Sequence, residues 1–135
     1  MIEELYQLLH RQTMAVETLE GRLRALELVI AADERRFVAV ALDELESASE
    51  QLAALELTRS LALTTAGMSP DVSARDLLAS IPDEADRTLL AGVIDRLRQA
   101  TVRLEDARER ARVVVGRSAA ELRSRIDAAE RFAAV

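Results

Sequence analysis

Cysteine, lysine, asparagine and tryptophan are absent from this chain, and glycine (four) and proline (two) are scarce. Without cysteine there is no disulfide, no thiol nucleophile and no cysteine-ligated zinc or iron–sulfur site. The scarcity of turn formers argues against an all-β fold, which needs a turn after every short strand. Aromatics make up only 2% of the sequence, so leucine, alanine and valine must fill the core. Such a core is a thin seam between helices, unlike the broad interior of an α/β enzyme. No run approaches the roughly 20 uncharged apolar residues that span a bilayer. Glu3 and Glu4 stand where a signal peptide carries positive charge. The expected location is therefore the cytoplasm, with no membrane insertion.

What is present is apolar and charged in alternation. Half of the 135 residues are hydrophobic, which argues against a disordered chain, and the length suits a single domain over residues 1–135. All 18 basic residues are arginine, a compositional bias, and the net charge of −6 opposes general affinity for nucleic acid or anionic membrane. The charge is uneven. Residues 1–86 hold 17 acids and 7 arginines, whereas residues 87–135 hold 7 acids and 11 arginines. A basic last helix packed on acidic ones within the monomer accounts for this; the sharper reading is a basic face offered to a partner.

From Ile2 to Ile30 apolar residues recur at alternating three- and four-residue steps: Ile2, Leu5, Leu9, Val16, Leu19, Leu23, Leu26 and Ile30, with only Gln12 interrupting. A second series runs Leu90, Val93, Leu97, Ala100, Leu104, Ala107, Ala111 and Val114. A 3.5-residue repeat keeps one side of a helix facing a partner along its whole length. The expected fold is all-α: an antiparallel three-helix bundle, coiled-coil-like, with a short extra helix and a long C-terminal helix.

Helix one spans about residues 2–31, and Asp33 is expected to N-cap helix two, about 34–66. In helix two Val38, Ala41, Leu45, Ala48, Leu52 and Leu55 keep heptad phase; the phase then slips, with Leu57, Leu61 and Thr64 taking over the apolar side. Ala66-Gly67 followed by Pro70 is a stop signal. Ser73 and Asp76 form a capping-box start for a short helix at about 74–80. Pro82 and the acids Asp83, Glu84 and Asp86 open the last helix, about 83–132. Fifty residues measure about 75 Å at 1.5 Å per residue, against about 45 Å for helix one, so the last four or five turns are expected to overhang. Beyond Val114 the heptad fails, with Gly116 at the slip, while Glu121/Arg125 and Asp127/Arg131 offer i,i+4 support.

Catalytic constellations are missing. There is no Gly-rich phosphate loop, no G-x-S-x-G turn and no H-E-x-x-H. The single histidine, His10, has Gln7 three positions before it, so the Glu-x-x-His pair of carboxylate metal bundles is not formed; it reads as a solvent-facing or half-buried side chain. The adjacent acids Asp43/Glu44 and Glu105/Asp106 diverge on a helix and read as solvated faces. No catalytic, cofactor-binding or metal-binding residue is assigned, and the chain is not expected to be an enzyme.

In layout and in three stretches the chain resembles the FlgN family of flagellar type III export chaperones. The first stretch is the Ala31-Ala32-Asp33 turn after a long first helix. The second is LALELTRSLALTTAG, in which Leu55, Glu56, Arg59, Leu61 and Gly67 match the family's progression. The third, DLLASIPDEADRTLLAGVIDRLRQA, gives a short segment and a long last helix. The resemblance covers about residues 1–133, through degenerate elements that other leucine-rich coiled coils share in part. One departure is the absence of the asparagines that usually precede an apolar stretch in the family's last helix; the equivalent region here is EDARERARVVVGRSAAEL, so no asparagine role carries over.

The resemblance implies a cytoplasmic chaperone that holds C-terminal helical segments of hook–filament junction proteins and delivers them to the export apparatus. The alternative is a structural coiled-coil or adaptor protein that self-associates without chaperone activity. Leu122, Ile126, Ala129 and Phe132, one stripe on the overhang, are the candidate client-binding residues; the competing readings pack them on the N-terminal part of helix one or leave them fraying at the chain end. Met14 and Leu28, opposite the seam with Gly21 between them, are a candidate contact face for a homodimer.

Overall fold

The computed structural model describes residues 2–134, the side chain of Leu122 excepted. The chain is an all-α bundle of three long helices: α1 (Ile2–Ala31), α2 (Val38–Thr65) and α4 (Glu84–Ala133), with the short α3 (Ala74–Ala79) in the second connection. Helix α1 is central and packs along both α2 and α4, which do not approach each other closely among the described residues. Arg22 to Glu44 (3.1 Å) and Arg59 to Gln12 (3.0 Å) show α2 running antiparallel to α1. Arg96 near Tyr6, Arg103 near Glu20 and Arg110 near Glu27 show α4 running parallel to α1 from a common start.

The core is thick at one end and thin at the other. Leu5 and Leu9 of α1, Leu63 of α2, Leu77 of α3, Ile81, and Leu90, Val93 and Ile94 of α4 form one buried cluster where the connection crosses the bundle. Leu90 and Val93 have no exposed surface. Towards the other end the buried residues are mainly small: Ala100, Ala107 and Ala111 of α4 and Ala41 and Ala48 of α2, on either side of an α1 that buries Val16 and Leu26. Small side chains let the helix axes come close but bury little apolar area per turn.

Caps explain where the helices begin and end. At the C-terminus of α2, Gly67 adopts φ +79, its N–H reaches the Thr64 carbonyl and that of Met68 reaches the Leu63 carbonyl. This is the Schellman arrangement, with Met68 packed on the core that holds Leu63. Ser73 accepts from the Asp76 N–H at 3.1 Å to start α3, and Asp83 accepts from the Asp86 N–H at 3.0 Å to start α4. Arg87 closes the corner between them by donating to the carbonyls of Ile81 and Pro82.

Two expectations are corrected. Asp33 does not cap α2. It ends α1, with φ +54, Asp33 N–H on the Ile30 carbonyl and Glu34 N–H on the Val29 carbonyl. Aspartate tolerates this left-handed position because its short polar side chain bonds locally, here with Arg35 Nε at 3.2 Å. A 3₁₀ turn, Arg35–Phe37, then intervenes, so α2 starts at Val38 and not near residue 34, with no side-chain cap.

The heptad slip in α2 is not there either. Leu57 and Leu61 are 62% and 61% exposed and Thr64 is exposed, while Arg59, Ala62, Leu63 and Ala66 continue the inward phase. The reason is Gln12. It is 5% exposed, at the one polar point of the α1 seam, and Arg59 faces it with a hydrogen bond. A polar layer replaces an apolar one on both helices at once, so neither has to change phase.

Candidate functional site

The residues after Ser118 leave the bundle. Since α4 starts level with α1 and is 50 residues to its 30, about 30 Å of helix extends past the end of α1. Every described side chain from Ala119 to Ala134 is exposed. Gly116 does not break the helix, which continues to Ala133. The i,i+4 pairs Glu121/Arg125 and Asp127/Arg131 do not reach ion-pair distance among the described residues.

Three of the four candidate client-binding residues are therefore accessible. Ile126 is 49% exposed, Phe132 is 87% exposed, and Ala129 is exposed. Leu122 lies in α4, but its side chain falls outside the described residues. The competing placement on the N-terminal part of α1 is excluded for the others, because parallel packing puts the arm at the opposite end. At 3.6 residues per turn, Ser118, Ile126 and Ala129 continue the face on which Ala107, Ala111 and Val114 pack against α1. The arm thus carries the bundle's own seam beyond the helix that covers it.

Sequence reasoning missed the base of the arm. There a cleft of ≈ 490 Å³ opens between the α1–α2 turn and α4, with Val29, Ile30, Val38 and Val115 as apolar lining and Arg35 and Arg125 among its charged groups. The signal was the valine run before Gly116, where Val113 and Val115 are about half exposed on either side of the half-buried Val114. Arg35, on the cleft's lining, belongs to the 3₁₀ turn, which no local pattern announced.

The charge asymmetry is partly used within the chain. Glu20, 8% exposed, lies 2.8 Å from Arg24 and 3.7 Å from Arg103, and Glu27 lies 4.0 Å from Arg110. The pairs to Arg103 and Arg110 join the basic α4 to the acidic α1, as the simpler reading of the charges expects. A buried carboxylate with two guanidinium partners is worth little net stability but disfavours a shifted register. On the arm, Arg117, Arg123, Arg125 and Arg131 have no such partner among the described residues.

Met14 and Leu28 are 56% and 69% exposed on α1, too far apart on the helix to form one patch. Met14→Glu with Leu28→Glu is expected to leave helicity intact, since exposed positions away from caps tolerate change within about 0.5 kcal/mol. Sedimentation across a concentration series checks their role: weakened association assigns them an interface, and unchanged behaviour removes them from it.

His10 is half-buried and stacks on Tyr6, ring centroids 6.2 Å apart. Among the described residues no group of three histidines or carboxylates converges as a metal site, and no helix is long and apolar enough to cross a membrane. Comparison with protein-family models, with curated proteins and with solved structures finds no match to this chain.

Proposed function

We propose that the chain is a helix-binding export chaperone of the FlgN kind. It covers the C-terminal helical segment of a flagellar hook–filament junction protein in the cytoplasm and delivers that protein to the export apparatus. The observation that supports this most is the arm of α4, whose apolar face continues the α1 seam with no helix over it among the described residues. An amphipathic client helix laid on Ile126, Ala129 and Phe132 takes the place that a longer α1 would occupy, in the helix-in-groove manner. The cleft at the arm's base offers Val29, Ile30, Val38 and Val115 to an apolar side chain at the client's end. The exposed, charge-bearing arm keeps the site soluble when empty, and a contact of four turns gives moderate affinity, which suits a cargo that must be released.

The test is a titration of a junction-protein C-terminal segment against the Ile126→Ala, Phe132→Ala double variant, with a thermal melt alongside. Loss of two apolar anchors is expected to weaken binding by about tenfold or more, with the melt unchanged. Unchanged affinity with a lowered melt would assign the stripe to the folded core and end this reading.

A further inference from the structure

The arm carries a pattern that fits one particular helix: its own copy. Ala119, Ile126 and Ala133 are spaced by sevens, and Ala129 stands three beyond Ile126, which is a heptad seam. Arg123 and Glu130, also seven apart, flank one side of that seam; Arg125 and Phe132, seven apart again, flank the other. Each flank thus holds two members that attract each other: a guanidinium and a carboxylate on one side, a guanidinium and an aromatic ring on the other. Neither pair is joined within the chain. Arg123, Arg125 and Glu130 make no ion pair among the described residues, and Arg125 is not stacked on Phe132.

We infer that two copies of the chain associate through their arms, lying antiparallel. In an antiparallel helix pair, like flanks face each other across the seam. With Ile126 seated on Ala129 of the second copy, Arg123 meets Glu130 of the second copy, and Arg125 meets its Phe132. Two-fold symmetry makes each contact twice. The large Ile126 falls on the small Ala129 in both halves, whereas parallel arms would set isoleucine on isoleucine and alanine on alanine. Antiparallel arms also carry the two bundles away at opposite ends, and each tip reaches the base of the other arm, placing Phe132 on the rim of the cleft beside Arg125. A guanidinium over an aromatic face is favourable in such a half-desolvated place.

The seam is short. Sixteen residues a side bury at most the area of a small specific interface, about 1,200 Å² or less, so the dimer is weak and concentration-dependent. It covers the same face that a client helix takes, and on that reading of the function client binding and self-pairing exclude each other. Self-pairing would then be the resting cover of the site, removed by the cargo through mass action.

Equilibrium sedimentation of the full chain over a concentration series tests this, with circular dichroism to verify helix content. Arg123→Glu sets two carboxylates against each other at each end of the seam, and Glu130→Arg sets two guanidiniums there. Each is expected to raise the dimer dissociation constant by about tenfold or more, and the double exchange Arg123→Glu, Glu130→Arg to restore it. Parallel arms cannot give that restoration, because there Arg125 faces position 130 of the second copy and would meet arginine. A chain that is monomeric throughout, a dimer indifferent to the single variants, or a double variant as weak as the singles overturns the inference. None of these outcomes touches the export reading, which stands or falls on the client titration: a monomer that binds the junction segment removes self-pairing alone.

Discussion

Leu90→Ala is expected to destabilise the bundle by about 3 kcal/mol, lowering the melting temperature by roughly 10 °C. Leu90 has no exposed surface and sits where α1, α2, α3 and α4 all contribute to one cluster. Removing its side chain leaves a hole that helices anchored by caps at Gly67, Ser73 and Asp83 cannot close. The same truncation at Phe132, which is 87% exposed, is expected to stay within about 0.5 kcal/mol of the wild type. Chemical denaturation of the two variants measures the contrast. Equal effects would mean that the thick end of the bundle is not where stability resides.

The second large effect belongs to the polar layer. Gln12→Leu removes the acceptor from Arg59 and leaves a half-buried guanidinium facing an apolar side chain, at a cost of about 2 kcal/mol. Replacing both, Gln12→Leu with Arg59→Leu, is expected to recover most of that loss, because the layer then matches the apolar layers above and below it. The double variant has a further consequence for specificity, since a uniform seam no longer marks which turn of α1 meets which turn of α2. A double-mutant cycle by denaturation decides the matter: additive losses would show that the two side chains do not depend on each other.

That layer also shows what could be seen in the residues and what could not. The series from Leu90 to Val114 was legible because a 3.5-residue period is a property of one helix, and every member is buried or half-buried. The start at Ser73 and the stop at Gly67 were legible because caps are local chemistry; near Pro82 the start of α4 was legible to within a residue, but Asp83, expected inside the first turn, is its N-cap. Gln12 looked like a flaw in α1, and the leucines at 57 and 61 looked like a change of phase in α2. One hydrogen bond between residues far apart in the chain accounts for both, and no window along a single helix contains it. Counting leucines misled because two of them face outward while an arginine faces in.

Asp33 failed for a different reason. Aspartate is favoured both at the start of a helix and, less often, at the left-handed residue that ends one. The residues around it permit either, and the outcome rests on the free carbonyls of Val29 and Ile30, which take the two N–H groups that follow. The consequence for the site is direct. Ending α1 there puts Asp33, Glu34 and Arg35 on the lining of the cleft at the arm's base. The overhang itself followed from length alone, 50 residues against 30 with a common start.

On the proposed function, the arm of α4 lies outside the folding unit and is the surface that takes a client helix. Hydrogen exchange resolved along the chain, measured on dilute protein with and without the junction-protein segment, addresses it most directly. Residues 119–134 are expected to exchange fast in the free chain, far faster than the helix around Leu90, and to become protected when the segment is added, with little change on the outer face of α2. An arm already as protected as the core, or protection that appears elsewhere while the arm stays open, would contradict that assignment of the arm.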